Sequence, residues 1–284
     1  MKKIIALALV LVLAFSCVAC GNTGSKNVKV VDIALSEESY AFAIAKDNAE
    51  LLTKTNEYLA KIVADGTFDA ICDKYFGNGT PTKVASAAED SSKDQLIVAT
   101  STGFEPFEMV DENGMFYGID LEIAAGLAEY LGKELVIKDM QFASVVTSVQ
   151  NNICDIAMAG LTITPARLEM VAFSDSYYNA AQVLIVMEDD TTFDACKTAD
   201  DVVAILDKLT ASTNIGCQAG TTGETYLVGD LDLGDDGYGF KGVPATKKAY
   251  DYAALAVTAM INGEISYVIL DNAPANAIAK AVNK

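Results

Sequence analysis

Short apolar runs of strand length alternate along this chain with stretches whose apolar residues recur at helical spacing. That rhythm admits an α/β fold with largely parallel sheets and little else. Residues 28–33, 96–100, 135–137, 155–159, 183–186, 214–217 and 266–270 read as strands. Between them, Leu121, Ala124, Ala128 and Leu131 form one stripe of a helix over 121–131, stopped by Gly132. A second helix, over 198–209, opens with Thr198 and Asp201 at capping-box spacing. With 284 residues, 51% of them hydrophobic, the chain has material for about two ordinary domains with their own cores.

Charge and composition remove whole classes of function. Asp plus Glu number 39 against 20 for Lys plus Arg, a net charge of −19, so nucleic acid is not an expected partner. The absence of histidine removes Ser-His and Cys-His nucleophile pairs, imidazole general bases and most zinc and copper sites. Neither a metal nor a cofactor is expected. Arginine occurs once, at Arg167, so the chain places its only rigid bidentate donor fork at a single point.

The start of the chain reads Lys2, Lys3, an apolar run to Phe15, and then the small-residue stretch Ser16 to Gly21, the pattern of a secretory signal peptide over 1–19. The apolar run falls short of the ~20 residues that a helix needs to span a bilayer. The cysteine after it resembles a bacterial lipoprotein signal, in which Cys20 becomes the lipidated residue. Cys17 stands where that pattern usually has Leu and is the alternative lipidation site. The other cysteines, Cys72, Cys154, Cys196 and Cys217, form no CxxC pair; Cys72, Cys154 and Cys217 lie on apolar faces and read as buried free thiols, with a disulfide among the four as the alternative for an exported protein. Residues 78–94 (NGTPTKVASAAEDSSKD) lack periodicity and read as a linker.

From Gln95 onward several motifs occur in order: LIVATSTGFEPFEM, YGIDLEIAAGLAEYLG, DMQFASVVTSVQNNICDIAMAGLTITPARLEMVAFSDSYY, IGCQAGTTGETY and GEISYVILDNAPA. This part of the chain resembles the bacterial extracellular solute-binding proteins of the polar amino-acid family, which feed ABC importers. Residues 27–77, ending in ADGTFDAICDKYFG, resemble the C-terminal portion of the same family. Reading Lys284 into Asn27 restores the family's order, so a circular permutation is expected; the alternative is a second, decayed copy that packs separately.

The resemblance implies a type II periplasmic-binding-protein-like fold, two α/β lobes joined by two crossing strands with the ligand between them. Lobe one would comprise 40–181, including the linker, and lobe two 182–284 plus 27–39. The crossings fall near 178–186 and 35–43. Residues 20–26 would be a short tether holding lobe two within ~25 Å of the lipid, at ~3.5 Å per residue.

A free amino acid offers a carboxylate, an ammonium and a side chain, so its site needs a cation with donors, an anion and a tunable surround. Arg167 follows Thr164 and Pro165, a favourable N-cap and first helical residue, and its fork matches a carboxylate bidentately. A surface ion pair is the plainer alternative for it. By resemblance, Arg167 holds the ligand's α-carboxylate with the hydroxyl of Thr162 and the backbone of Gly160, and Thr222 supplies a second grip from the other lobe. Asp271, at the end of an apolar strand, faces the crevice and takes the α-ammonium, a role compatible with capping the next helix. Phe104 and Phe142 match positions that sandwich the ligand side chain, although each is equally readable as core.

Ser101 stands where relatives that take basic amino acids or glutamine carry Asp, and Gln218 holds the variable position before the GTT turn. The lack of an acid at Ser101 favours a neutral amino acid, polar or aromatic; Glu105 and Glu108 nearby count against that preference. The implied protein is a monomeric, lipid-anchored amino-acid receptor on the extracellular face of the cell membrane, delivering to an ABC permease and its ATPase. It would have no catalytic residues. The alternatives are a dehydratase-like enzyme using a cleft carboxylate or Lys, and an amino-acid sensor without transport.

Overall fold

The computed structural model describes residues 26–77, 79–234 and 240–284; the expected leader, with Cys17 and Cys20, lies outside them. Two five-stranded sheets organise the chain, and both are mixed instead of largely parallel as expected. The first runs, in spatial order, β7 (Glu134–Asp139), β4 (Gln95–Thr100), β8 (Ile156–Ala157), β3 (Ala43–Ile44) and β9 (Ala172–Phe173). The second runs β1 (Val28–Val31), β11 (Gln182–Met187), β14 (Tyr267–Asp271), β12 (Asn214–Gln218) and β13 (Thr246–Tyr250). The chain enters each sheet through antiparallel pairs, β3 with β8 and β9 in one and β11 with β1 and β14 in the other. Each sheet carries its own helices, which gives two α/β lobes, and one continuous buried cluster runs from Val98 and Ile119 of the first to Ile185 and Val268 of the second. Every run read as a strand in the sequence is one, with bounds shifted by a residue or two.

The lobes are joined by a two-stranded antiparallel ribbon, β2 (Glu38–Tyr40) against β10 (Tyr178–Ala180), in which Tyr40 faces Tyr178 and Glu38 faces Ala180. Both chain crossings therefore run side by side. A small hairpin of β5 (Met109–Val110) and β6 (Phe116–Tyr117) decorates the first lobe.

Helices α1 (Ala49–Ala64) and α2 (Thr67–Phe76) pack on α3 (Ile119–Leu131) in the first lobe. The expected stripe buries α3 on the sheet, and Gly132 ends it in the left-handed conformation at φ 70°. Helix α4 (Phe142–Gln150) covers the same sheet beside α5 (Pro165–Met170). In the second lobe, α6 (Ala199–Leu206) starts with the expected capping box but ends short of the predicted 209. Helices α7 (Thr222–Val228), α8 (Ala253–Ile261) and α9 (Asn272–Val282) complete it.

Residues 79–94 lack regular structure, as a linker should, yet they are stitched to the first lobe. Val84 pairs with Phe116 through backbone bonds of 2.7 and 3.1 Å, Ala87 N–H donates to Leu135 at 2.8 Å, and Ser86 Oγ accepts from Ile137 N–H at 2.8 Å. Val84 is only 5% exposed. The segment satisfies the open edge of β7, a need that composition does not reveal. At the far end of the second lobe, Asn283 brackets Val28, its Oδ1 accepting from Val28 N–H at 3.0 Å and its Nδ2 donating to Val28 O at 2.8 Å. The four described cysteines are free thiols; Cys154 and Cys217 are buried, whereas Cys72 and Cys196 are half-buried.

Candidate functional site

The site forms where the ribbon, the start of α5, the start of α7 and the end of β14 meet. Thr164 caps α5 by accepting from the Arg167 N–H at 3.2 Å, with Pro165 in the first turn, so the Arg167 side chain leaves the helix start toward the second lobe. Its Nη1 donates to Thr162 O at 2.7 Å and its Nη2 reaches across the cleft to Gly220 O at 3.2 Å. Its Cζ lies 5.5 Å from the centre of the Phe142 ring. Burial pulls the Arg167 pKa down, and the negative charges of Glu38 and Asp271 push it back up. Among the described residues Arg167 makes no ion pair, and its fork donates instead to main-chain carbonyls at the lobe boundary.

The hydroxyls of Thr162 and Thr222 converge from opposite lobes on one acceptor. Glu38 Oε2 accepts from Thr162 Oγ1 at 2.6 Å and from Thr222 Oγ1 at 2.7 Å. Glu38 Oε1 accepts from Ser36 Oγ at 2.7 Å and from Gln182 Nε2 at 2.9 Å. A carboxylate 4% exposed is thus held by four donors. Gln182 Nε2 also donates to Thr222 Oγ1 at 3.1 Å, tying the network to β11.

Asp271, 4% exposed at the end of β14, accepts from the Tyr40 hydroxyl at 2.6 Å. It stands at the N-cap position of α9, but its side chain makes no capping bond and serves the cleft instead. Burial first, and the neighbouring Glu38 charge second, push its pKa up to about 7. Tyr40, fully buried, is raised well above its ordinary value by burial and by Asp271 and Glu38.

Gly160 lines the cluster in a different way from that expected. Its N–H, assigned by resemblance to the ligand, donates to Asp120 Oδ2 at 2.9 Å, and Asp120 also accepts from the Tyr177 hydroxyl at 2.6 Å. What Gly160 supplies is space: at φ 53°, a Cβ there would lie 2.8 Å from the Phe104 ring and 3.3 Å from that of Tyr40. Phe104 is 7% exposed and packs beside Phe107, while Phe142 is half-buried next to the guanidinium. Ser101 and Gln218 are buried, at 1% and 4%. Ser101 Oγ has no hydrogen-bond partner among the described residues, and the Gln218 carbonyl accepts from Oγ1 of Thr221, the residue that caps α7, at 2.7 Å.

Arg167, Thr162, Gly160, Thr222, Asp271, Phe104 and Phe142 are therefore assembled in one region, and Ser101 and Gln218 are buried outside the hydrogen-bond network. Sequence reasoning missed Glu38, Tyr40 and Gln182. No local signal could have found Glu38: Ser36, Glu38 and Tyr40 are buried while Glu37 is exposed only once the segment has paired across the lobes, and the residues 36–40 show no apolar alternation of their own.

Two α/β lobes bridged by paired strands, with a guanidinium, hydroxyls and buried carboxylates facing one another between them, define the class of two-lobed solute-binding proteins. Residues 96–279 match the model of the bacterial extracellular solute-binding proteins, family 3, and the chain belongs to that family. It is 35% identical over 105 residues to the arginine-binding extracellular protein ArtP of Bacillus subtilis, covering 37% of this chain and 41% of that protein. It is 28% identical over 176 residues to a probable histidine-binding protein of Neisseria gonorrhoeae, covering 62% and 58%. The match thus spans less than two thirds of either relative. Among solved structures, holo ArgBP from T. maritima superposes with a TM-score of 0.52 at 33% identity, over 66% of this chain and 74% of that one. The ancestral amino acid-binding protein AncCDT-1, a precursor of cyclohexadienyl dehydratase, superposes with a TM-score of 0.55 at 27% identity, over 66% and 74%.

Proposed function

We propose that the protein captures a free amino acid between its lobes and delivers it to an ABC permease, held at the extracellular face of the membrane by lipid on Cys20. The observation that carries this reading is the meeting of Arg167 and Thr162 from one lobe with Thr222 and Asp271 from the other. A guanidinium with hydroxyls suits a carboxylate, a buried aspartate suits an ammonium, and one molecule bearing both draws the lobes together. Ser101 favours a neutral side chain, and relatives named for arginine and histidine binding put cationic ones in the same trial.

The chain order, in the same reading, is permuted, with lobe one at 40–181 and lobe two at 182–284 plus 27–39. Support comes from β1, which joins β14 through β11, from β2, which supplies the second crossing, and from the bracket between Val28 and Asn283.

Titration calorimetry of the purified protein against the amino-acid panel should show binding of at least one member. Arg167→Lys should weaken it by ~1.5–3 kcal/mol, the worth of a hydrogen bond to a charged group. Silence across the panel overturns the ligand class, and unchanged binding by R167K overturns the role of Arg167.

A further inference from the structure

The proposed carboxylate grip already has an occupant supplied by the chain itself. Thr162 and Thr222, the hydroxyls from opposite lobes, both donate to the same oxygen, Glu38 Oε2, at 2.6 and 2.7 Å. The other oxygen, Oε1, is independently anchored by Ser36 and Gln182 at 2.7 and 2.9 Å. Glu38 belongs to β2, the crossing ribbon, so its carboxylate stands at the pivot and touches both jaws.

We propose that Glu38 is a built-in competitor for the ligand carboxylate: through Oε2 it bridges Thr162 and Thr222, joins the Arg167–Gly220 bond in holding the lobes together without a ligand, and sets the competition that an entering amino acid must overcome. The proposal rests on the amino-acid reading above for the ligand's identity but not for the bridge. The bonds to Oε1 let the side chain stay in place while Oε2 gives up its two hydroxyls. The incoming carboxylate then gains those hydroxyls and the Arg167 fork, in exchange for standing near a like charge. The observed affinity becomes the intrinsic one reduced by the fraction of molecules in which Glu38 is disengaged.

Small-angle scattering and calorimetry on wild type and Glu38→Ala test this. Without amino acid, wild type should have the smaller radius of gyration; E38A should be expanded and contract on addition of L-arginine, L-histidine or L-glutamine. The affinity of E38A for whichever of these binds should rise about tenfold for a bridge that is engaged in nine molecules of ten. Equal radii for the two proteins without amino acid, or weaker binding by E38A, would overturn the proposal. If E38A fails to fold, Glu38→Leu keeps most of the volume and removes both acceptor oxygens, and both readouts should move in the same direction. The scattering arm needs no ligand. An expanded E38A with silent calorimetry therefore rejects the amino-acid reading and keeps the bridge.

Discussion

Asp271 is a carboxylate with more burial than compensation. One hydroxyl, from Tyr40, and a contribution from Gln182 favour its charged form, while burial and Glu38 oppose it more strongly. Its pKa of about 7 against an ordinary 3.8 means that the folded protein holds a proton the unfolded chain releases between roughly pH 4 and 7. Stability is therefore lost as pH rises through that window. Thermal melts in the absence of amino acid should show a midpoint falling from pH 5 to pH 8, and Asp271→Asn should flatten part of that fall. Asp120, pushed up to about 7 by its own burial, and Glu108, which burial raises well above its ordinary value, account for a remaining slope. A fall that D271N leaves intact would refute the assignment. Arg167 was legible as the lone arginine behind an N-cap and a proline. Glu38 was not, because a charged side chain in a three-residue strand looks like solvent-facing punctuation until its partners, 124 and 184 residues away, fold against it.

The long strands and the capped helices were readable because each states its own period or its own terminus: β4, β11 and β14 as apolar runs, α3 by its stripe and Gly132, α6 by its capping box. The two- and three-residue strands β2, β3, β9 and β10 carry no such local signal. They exist through pairing with segments far along the chain. The segment at 79–94 shows the opposite error, where loop composition concealed a packed edge. Val84→Ala should destabilise the protein by ~1–3 kcal/mol, from two lost methyl groups and a cavity, measured by chemical denaturation. A cost near zero would mean that the segment merely lies on the surface.

For the whole molecule, the permuted reading makes a demand on connectivity. A chain rewritten to run from 79 to 284 and then directly through 27 to 77 keeps Val84 in place and joins ends that Asn283 and Val28 already hold together. Its circular dichroism and amino-acid binding should match those of the parent; failure to fold would count against permutation. Both crossings, meanwhile, lie in one hydrogen-bonded ribbon, with Glu38, Ser39 and Tyr40 facing Ala180, Asn179 and Tyr178. Such a ribbon flexes out of its plane at little cost but resists shear within it, since sliding one strand past the other breaks its ladder. The two halves are thus left with essentially a single soft coordinate: they swing like a door on a strap, and a rotation measured at any one point on the rim reports the motion of the entire half.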